Sequence, residues 1–193
     1  MRNLHLPLIL AALLVATGVH AEKADRSKQM VIEANQPGTL DMARQVVVFA
    51  GSVVVTQGTM AIRAERVEVR ERPDGNRSAT AIGQPGKPAT FRQKRDGVDE
   101  YVEGSADRIE YDSRGDVVRF VGAAQVRRLR GTTTADEISG SVITYDNGNE
   151  TFNVQGAAPA VTAGASAPTA GRVRVVLTPR AEGPASAASG TPP

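Results

Sequence analysis

The side chains that most often do chemistry are scarce in this chain: it has no cysteine, and its two histidines, His5 and His20, both fall within the first twenty residues. Carboxylates and cations are what remain. Acidic pairs stand at Asp99-Glu100 and Asp136-Glu137, where neighbouring carboxylates could share acid–base work or hold a hard cation, but neither pair has the ligand spacing of a calcium loop. They read as surface charge. Gly86-Lys87 suggests a phosphate loop, yet Pro88 follows where Ser or Thr is required, and Ala81 stands in place of the first glycine, which speaks against a nucleotide site. Two basic clusters, Arg92-Gln93-Lys94-Arg95 and Arg127-Arg128-Leu129-Arg130, admit two readings: cations that meet phosphates, or solvated strand edges where charge discourages aggregation.

Residues 1–21 have the layout of a secretory signal peptide. Arg2 is the only charge, an apolar run covers residues 4–15, and Val19-His20-Ala21 offers a small-residue exit before Glu22. The apolar core is too short to span a bilayer. Cleavage is expected between Ala21 and Glu22, which leaves an exported mature chain with neither His nor Cys. Ser-His-Asp and Cys-His catalysis, His- or Cys-ligated zinc, haem and iron–sulfur sites are then excluded. The formal net charge, +2 for the whole chain, also drops by one with Arg2, so the basic balance is no argument for a nucleic-acid partner. The expectation is a protein that is not an enzyme, with no catalytic residue, no metal site and no cofactor.

The elements that position the remaining residues are short strands. Between residues 29 and 150, β-branched residues alternate with polar ones and are interrupted by Pro73-Asp74-Gly75-Asn76, Asp96-Gly97, Ser113-Arg114-Gly115-Asp116 and Asp146-Asn147-Gly148-Asn149, all turn sequences. No window offers a long amphipathic helix. The pattern predicts an all-β, antiparallel protein of roughly a dozen strands, with a β domain over residues 22–156. Residues 157–171 are Ala, Gly, Pro, Ser or Thr except for Val161, which predicts a linker. A final strand follows at 172–179, then a small, polar tail at 180–193 expected to be disordered.

A weak internal repeat runs through the strands. Leu40-Asp41, Val46-Val47-Val48-Phe49 and Gly51 align at an offset of 71 residues with Tyr111-Asp112, Val117-Val118-Arg119-Phe120 and Gly122. A further offset of 34 reaches Tyr145-Asp146, Phe152, Val154 and Gly156. Within the units, apolar parity slips by one residue, from Met60, Ile62 and Ala64 to Val67 and Val69, and again at Ala106 to Ile109 and Ala135 to Ile138. A slip of this kind marks a bulge or corner. The sheet is therefore expected to bend at corresponding places around one apolar inside face, with Val47, Phe49, Gly51, Val53, Val55, Val118, Phe120, Gly122, Ala124 and Val126 pointing in. Only 4% of the chain is aromatic, and small residues recur inside at Gly51, Gly122, Gly156, Ala64, Ala106 and Ala135. They allow either tight turns with close sheet contact, or a groove left open for a long apolar ligand such as acyl chains.

The same residues carry a resemblance to a known family. Residues 35–57, with Leu40-Asp41-Met42 and Val46-Val47-Val48-Phe49-Ala50-Gly51, then Gly86-Lys87-Pro88-Ala89-Thr90-Phe91 and Val102-Glu103-Gly104-Ser105-Ala106, are similar in sequence and order to the OstA-like family of periplasmic lipopolysaccharide transport proteins. The likeness spans about residues 30–152 and resumes at 172–179; the linker departs from it. It implies an open, slightly twisted antiparallel β-jellyroll with a hydrophobic interior groove. It also implies binding of lipid A acyl chains, head-to-tail homo-oligomers, an LptC-like inner-membrane component on one side and the LptD/LptE outer-membrane translocon on the other. ATP would be hydrolysed by another component, leaving this chain a passive conduit.

The lipid-facing positions implied are Met30, Ile32, Phe49, Ile62, Val67, Phe91, Ile109, Tyr111, Phe120, Ile138 and Phe152, for each of which ordinary packing is a rival role. Arg92, Lys94, Arg127 and Arg128 are the candidate headgroup contacts. The joining edges would be the first strand, at 30–34, and the last, at 172–178, since an unpaired edge invites another strand. Two other classes stay open at this point: an adaptor that recruits envelope partners through its edges without lipid, and a carboxylate-dependent polysaccharide enzyme resting on the acid pairs alone.

Overall fold

The structure is a computed structural model that describes residues 25–95, 97–156 and 173–178. The expected signal peptide with its Ala21/Glu22 junction, the linker and the tail lie outside the described residues. After a 3-10 turn at Asp25–Ser27 come β1 (Met30–Glu33), β2 (Thr39–Asp41), β3 (Val46–Gln57), β4 (Met60–Glu71), β5 (Arg77–Ile82) and β6 (Ala89–Lys94). The second half holds β7 (Glu100–Ala106), β8 (Arg108–Asp112), β9 (Val117–Arg130), β10 (Thr133–Asp146), β11 (Thr151–Gln155) and β12 (Arg174–Leu177). Among the described residues every pairing is antiparallel, and one sheet holds the twelve strands.

The long strands β3, β4, β9 and β10 change neighbours partway along. β4 pairs with β6 through Ala61, Ile62 and Arg63, then with β5 from Arg66 onward. β9 pairs with β8 up to Val121 and with β7 from Gln125. β3 takes β2 at one end and β1 at the other, and β10 takes β12 and then β11. The sheet is thereby folded into two halves that share the long strands. One runs β2-β3-β4-β5-β8-β9-β10-β11 and the other β1-β3-β4-β6-β7-β9-β10-β12. This is a β-jellyroll, the architecture that the family resemblance implies.

The corner is built where parity slips. β3 has three residues between its inward Phe49 and Val53, while β4 has two between Ala64 and Val67, so Gly51 and Ser52 bulge opposite β4. β9 and β10 repeat the arrangement, with Phe120 paired to Ile143 and Ala124 to Gly140 across the same kind of register shift. Gly51 and Gly122 both have φ of +81°, a conformation open to glycine and strained for other residues. A Cβ on Gly51 would meet the Gln36 side chain, and one on Gly122 the Asp107 carboxylate. Of the two readings of the small residues, tight turning is the one that applies here: neither glycine leaves space for a ligand.

The third slip needs a correction. The step from Ala135 to Ile138 coincides with a register shift between Thr134 and Asp136, near the β9–β10 hairpin, whereas β10 turns the corner at Gly140 to Val142. A second bulge so close to the first gives the same apolar spacing, which parity alone cannot tell from a corner.

The two halves close on one core. Val53, Val55, Met60, Ile62, Val67, Phe91, Ile109, Val118, Phe120 and Ile143 are buried to 2% exposure or less. Phe91 and Phe120, from opposite halves, meet edge to face with centroids 5.7 Å apart. Gly104 makes that contact possible, since a Cβ there would lie 2.3 Å from the Phe120 ring.

Candidate functional site

The eleven interior positions singled out in the sequence divide by depth. Ile62, Val67, Phe91, Ile109, Tyr111 and Phe120 are buried in the middle of the jellyroll, each at 4% exposure or less. Met30, Ile32, Phe49, Ile138 and Phe152 are half-buried and pack against that core from β1, β3, β10 and β11. The second group stands toward the two ends of the folded sheet, where β1 and β11 are edges among the described residues and the short β12 flanks Ile138. Apolar surface is thus continuous from each mouth into the centre.

At the first mouth, β1 lies on β3 with Ile32 opposite Val55 and Met30 opposite Gln57. Phe49 covers Gly38, where a Cβ would lie 2.2 Å from the ring. The rim here is held by neutral or capping contacts. The Gln57 amide donates to the Lys28 carbonyl at 3.0 Å, and Asp25 accepts from the Thr59 backbone at 3.0 Å and hydroxyl at 2.5 Å. Leu40 and Met42 stand exposed nearby, at 62% and 67%.

The other mouth is a cleft of about 230 Å³ between β9, β10, β11 and β12, walled by Val126, Ile138, Tyr145, Phe152 and Leu177. Tyr145 and Phe152 stack with centroids 4.6 Å apart. Arg95, Arg128, Asp136 and Glu150 complete the lining. Arg95 donates to Glu150 at 2.5 Å and also pairs with Glu100. Glu100 takes Arg130 at 3.0 Å and Arg128 at 3.4 Å, and Arg128 turns its Nε onto Asp136 at 2.7 Å. Burial works against the Arg95 charge, but the hydrogen bonds and charges of Glu150 and Glu100 outweigh it and raise its pKa above the ordinary value. Burial likewise opposes ionisation of Glu100; hydrogen bonds from Arg130 and Arg95 and the charges of Arg128 and Arg95 overcome it and hold the carboxyl below its usual range. An amphiphile fits this chemistry: chains against the wall, an anionic group exchanging for a carboxylate at the rim.

Of the four candidate headgroup cations, Arg128 alone lines this mouth. Arg92 and Arg127 flank Glu103 on the outer face, and Lys94 reaches Asp99 at 3.7 Å. Arg95, Glu100 and Glu150 were missed as a group because, although Arg95 and Glu100 face each other across the short β6–β7 turn, Glu150 lies far along the chain and only the turn of β10 into β11 brings it over Arg95. The basic run at 92–95 was the available signal: alternation on a strand sends Arg92 and Lys94 to one face and leaves Arg95 to the next turn.

Residues 31–151 match the family described as "LptA/(LptD N-terminal domain) LPS transport protein". The lipopolysaccharide export system protein LptA of Escherichia coli K12 is 38% identical over 139 residues, covering 71% of this chain and 74% of that protein. LptA of Haemophilus influenzae is 30% identical over 139 residues, with 72% and 77% covered. Among solved structures, LptH of Pseudomonas aeruginosa, described as the LptA homologous periplasmic component of the conserved lipopolysaccharide transport device, superposes with a TM-score of 0.66 at 24% identity. It covers 81% of this chain and 99% of that one. That likeness is one of fold.

Proposed function

The chain belongs to the LptA/(LptD N-terminal domain) LPS transport protein family, and from that premise we propose that it is a periplasmic lipopolysaccharide-binding bridge, carrying lipopolysaccharide from an inner-membrane complex to the outer-membrane translocon with the lipid A acyl chains held in the jellyroll. The observation that carries this reading is the row of half-buried apolar side chains at both mouths, Met30, Ile32 and Phe49 at one and Ile138 and Phe152 at the other. Each methylene withdrawn from water there is worth about 0.8 kcal/mol, enough to hold an acyl chain without any covalent chemistry. The packed middle admits a chain only if the halves part, so entry begins at a mouth. At the β11–β12 end, Arg95 and Arg128 offer their charge to a lipid phosphate.

The partners follow from the edges. β1 and β2 close the sheet at one end and β11 and β12 at the other, and each can accept a strand on its open side. A second copy joined head to tail, an LptC-like component and the LptD/LptE translocon are the partners proposed.

The test is site-specific photo-crosslinking to lipopolysaccharide on the purified mature protein. Crosslinkers at Ile32, Phe49, Ile138 and Phe152 are expected to capture lipid, and those at outward Thr56 and Arg119 are not. Equal capture at inward and outward positions, or none at all, overturns the proposal. Partner capture through the edges without lipid would support the adaptor reading instead.

A further inference from the structure

A second concavity lies on the outside of the half-sheet that contains β6 and β7, separated from the interior by the sheet itself. Its volume is about 400 Å³. Strand register lays its floor out in two rows. One runs Arg63, Thr90, Ser105, Gln125, directly paired from strand to strand across β4, β6, β7 and β9, and ends at Ser139 on β10. The other runs Arg92, Glu103, Arg127, Glu137 by the same pairings. A neighbouring cavity of about 400 Å³ shares Arg63 and Thr90 and adds Lys87 and Pro88 from the loop before β6, so the two form one groove with Arg63 in the middle.

The rows differ in what they have to spare. Glu103 already accepts from both Arg92 and Arg127, while Glu137 faces Arg174 at 3.7 Å. The Thr90 and Ser105 hydroxyls, the Gln125 amide and the Arg63 guanidinium take no protein partner among the described residues. Their donors and acceptors are aimed at one concavity and left to whatever occupies it. At a strand spacing of about 4.8 Å, five strands give a groove of about 19 Å, long enough for several linked units.

We propose that this outer groove binds an acidic oligosaccharide, its hydroxyls on Thr90, Ser105 and Gln125 and its carboxylate or phosphate on Arg63. The strands here are paired on both sides, which closes their backbones to strand addition by a peptide. The aromatic ring at this face, Tyr101, is covered by the Arg92 guanidinium at 4.1 Å, which leaves no platform for stacked bases. Hydroxyl and amide groups that both donate and accept match a sugar chain, and the three arginines of the two rows with Lys87, against Glu65, Glu103 and Glu137, leave a net positive lining that favours an acidic one. The site is independent of the lipid-bearing interior.

Two sources share this chemistry, the phosphorylated core of lipopolysaccharide and the carboxylate-bearing glycan of the cell wall. Calorimetric titration of the mature protein with delipidated core oligosaccharide and, separately, with a soluble murein glycan fragment distinguishes them. A neutral maltooligosaccharide is the comparator. Saturable binding of either acidic probe, weakened about tenfold by Arg63→Gln while crosslinking of lipopolysaccharide at Phe152 is unchanged, supports the site and names its source. No saturable binding of either acidic probe, equal binding of the neutral chain, or affinity indifferent to Arg63→Gln overturns it. Arg63 is exposed, so the variant is expected to fold, and its circular dichroism checks this.

Discussion

The middle of the jellyroll and its two ends are made from the same inward-facing residues of the same long strands, yet they are packed differently. In the middle, Phe120 has 0% exposure and is enclosed by Phe91, Gly104 and the strands of both halves. At the ends, Ile32 and Phe152 keep one flank open because β1 and β11 are edges among the described residues, while Ile138, paired on both sides by β9 and β12, is half-buried where it faces the cleft. What separates the two regions is neighbours, and so the middle supplies stability while the ends offer surface. The ends differ from each other as well: the β1–β2 mouth is rimmed by caps and amides, the β11–β12 mouth by a network of arginines and carboxylates.

The strongest way to break this comparison is to remove a ring from each region. Phe120→Ala is expected to cost about 3–5 kcal/mol, the range for deleting a buried aromatic side chain, whereas Phe152→Ala should cost well under half of that. Urea unfolding of both variants checks it. Equal losses would mean that the mouth is packed as tightly as the core, and acyl chains would have no open flank to bind.

Glu100→Gln probes the charged mouth and comes next in size. The carboxylate is buried, and three arginines point at it, so its loss should cost about 2 kcal/mol at neutral pH. The pH dependence has a definite sign. The folded-state pKa of Glu100 lies below its ordinary value of 4.5, so its contribution is complete above that value and is lost as pH falls through the folded pKa. Wild type should lose stability below about pH 4.5, and Glu100→Gln should lose less, with the two curves converging in acid.

The corner was legible in the sequence in one respect and not in another. Parity slips at Ala64 to Val67 and Ala106 to Ile109 located the bend because burial forces apolar residues inward on both sides of it. The repeat that carries Gly51 onto Gly122 marked the matching bulges, but glycine at an inward parity reads equally as a space or as a backbone that needs positive φ, and side-chain pattern does not separate them. The slip at Ala135 misled because a hairpin bulge and a corner leave the same trace. The Arg95-Glu100-Glu150 network was invisible as a whole, since no spacing rule links the Arg95–Glu100 pair across the β6–β7 turn to Glu150, which the turn after β10 brings over it. The edges were half legible: β1 and β12 were expected, while β2 and β11 emerged only with the pairing order.

Gly51→Ala and Gly122→Ala test whether the two bulges are equivalent. Each places a Cβ on a backbone with φ of +81°, a conformation that costs about 1–2 kcal/mol for an L residue, and each neighbour is a side chain that can yield, Gln36 or Asp107. The losses should match within a few tenths of a kcal/mol in urea unfolding, about the error of a well-determined difference. A much larger loss at one position would show that its corner bears load the other does not, and the comparison would shift from middle against ends to one hairpin against the other.

The smallest expected effect discriminates most sharply between surface and core. Ile32→Ala and Ile138→Ala remove half-buried side chains, so each should lower the stability of the free protein by only about 1 kcal/mol. A ligand that binds the folded state raises its stability by an amount set by concentration over Kd, about 2.7 kcal/mol at a hundredfold excess over Kd. Lipopolysaccharide added at that excess should therefore raise the urea midpoint of the wild type and raise those of the two variants less, because each has lost methylenes that the acyl chains would cover. The gap between bound and free midpoints then measures lipid contact separately from packing, mouth by mouth. A loss confined to Ile138→Ala would assign the lipid to the charged mouth with Arg95 and Arg128, and a loss shared by both would make the two ends equivalent as entrances.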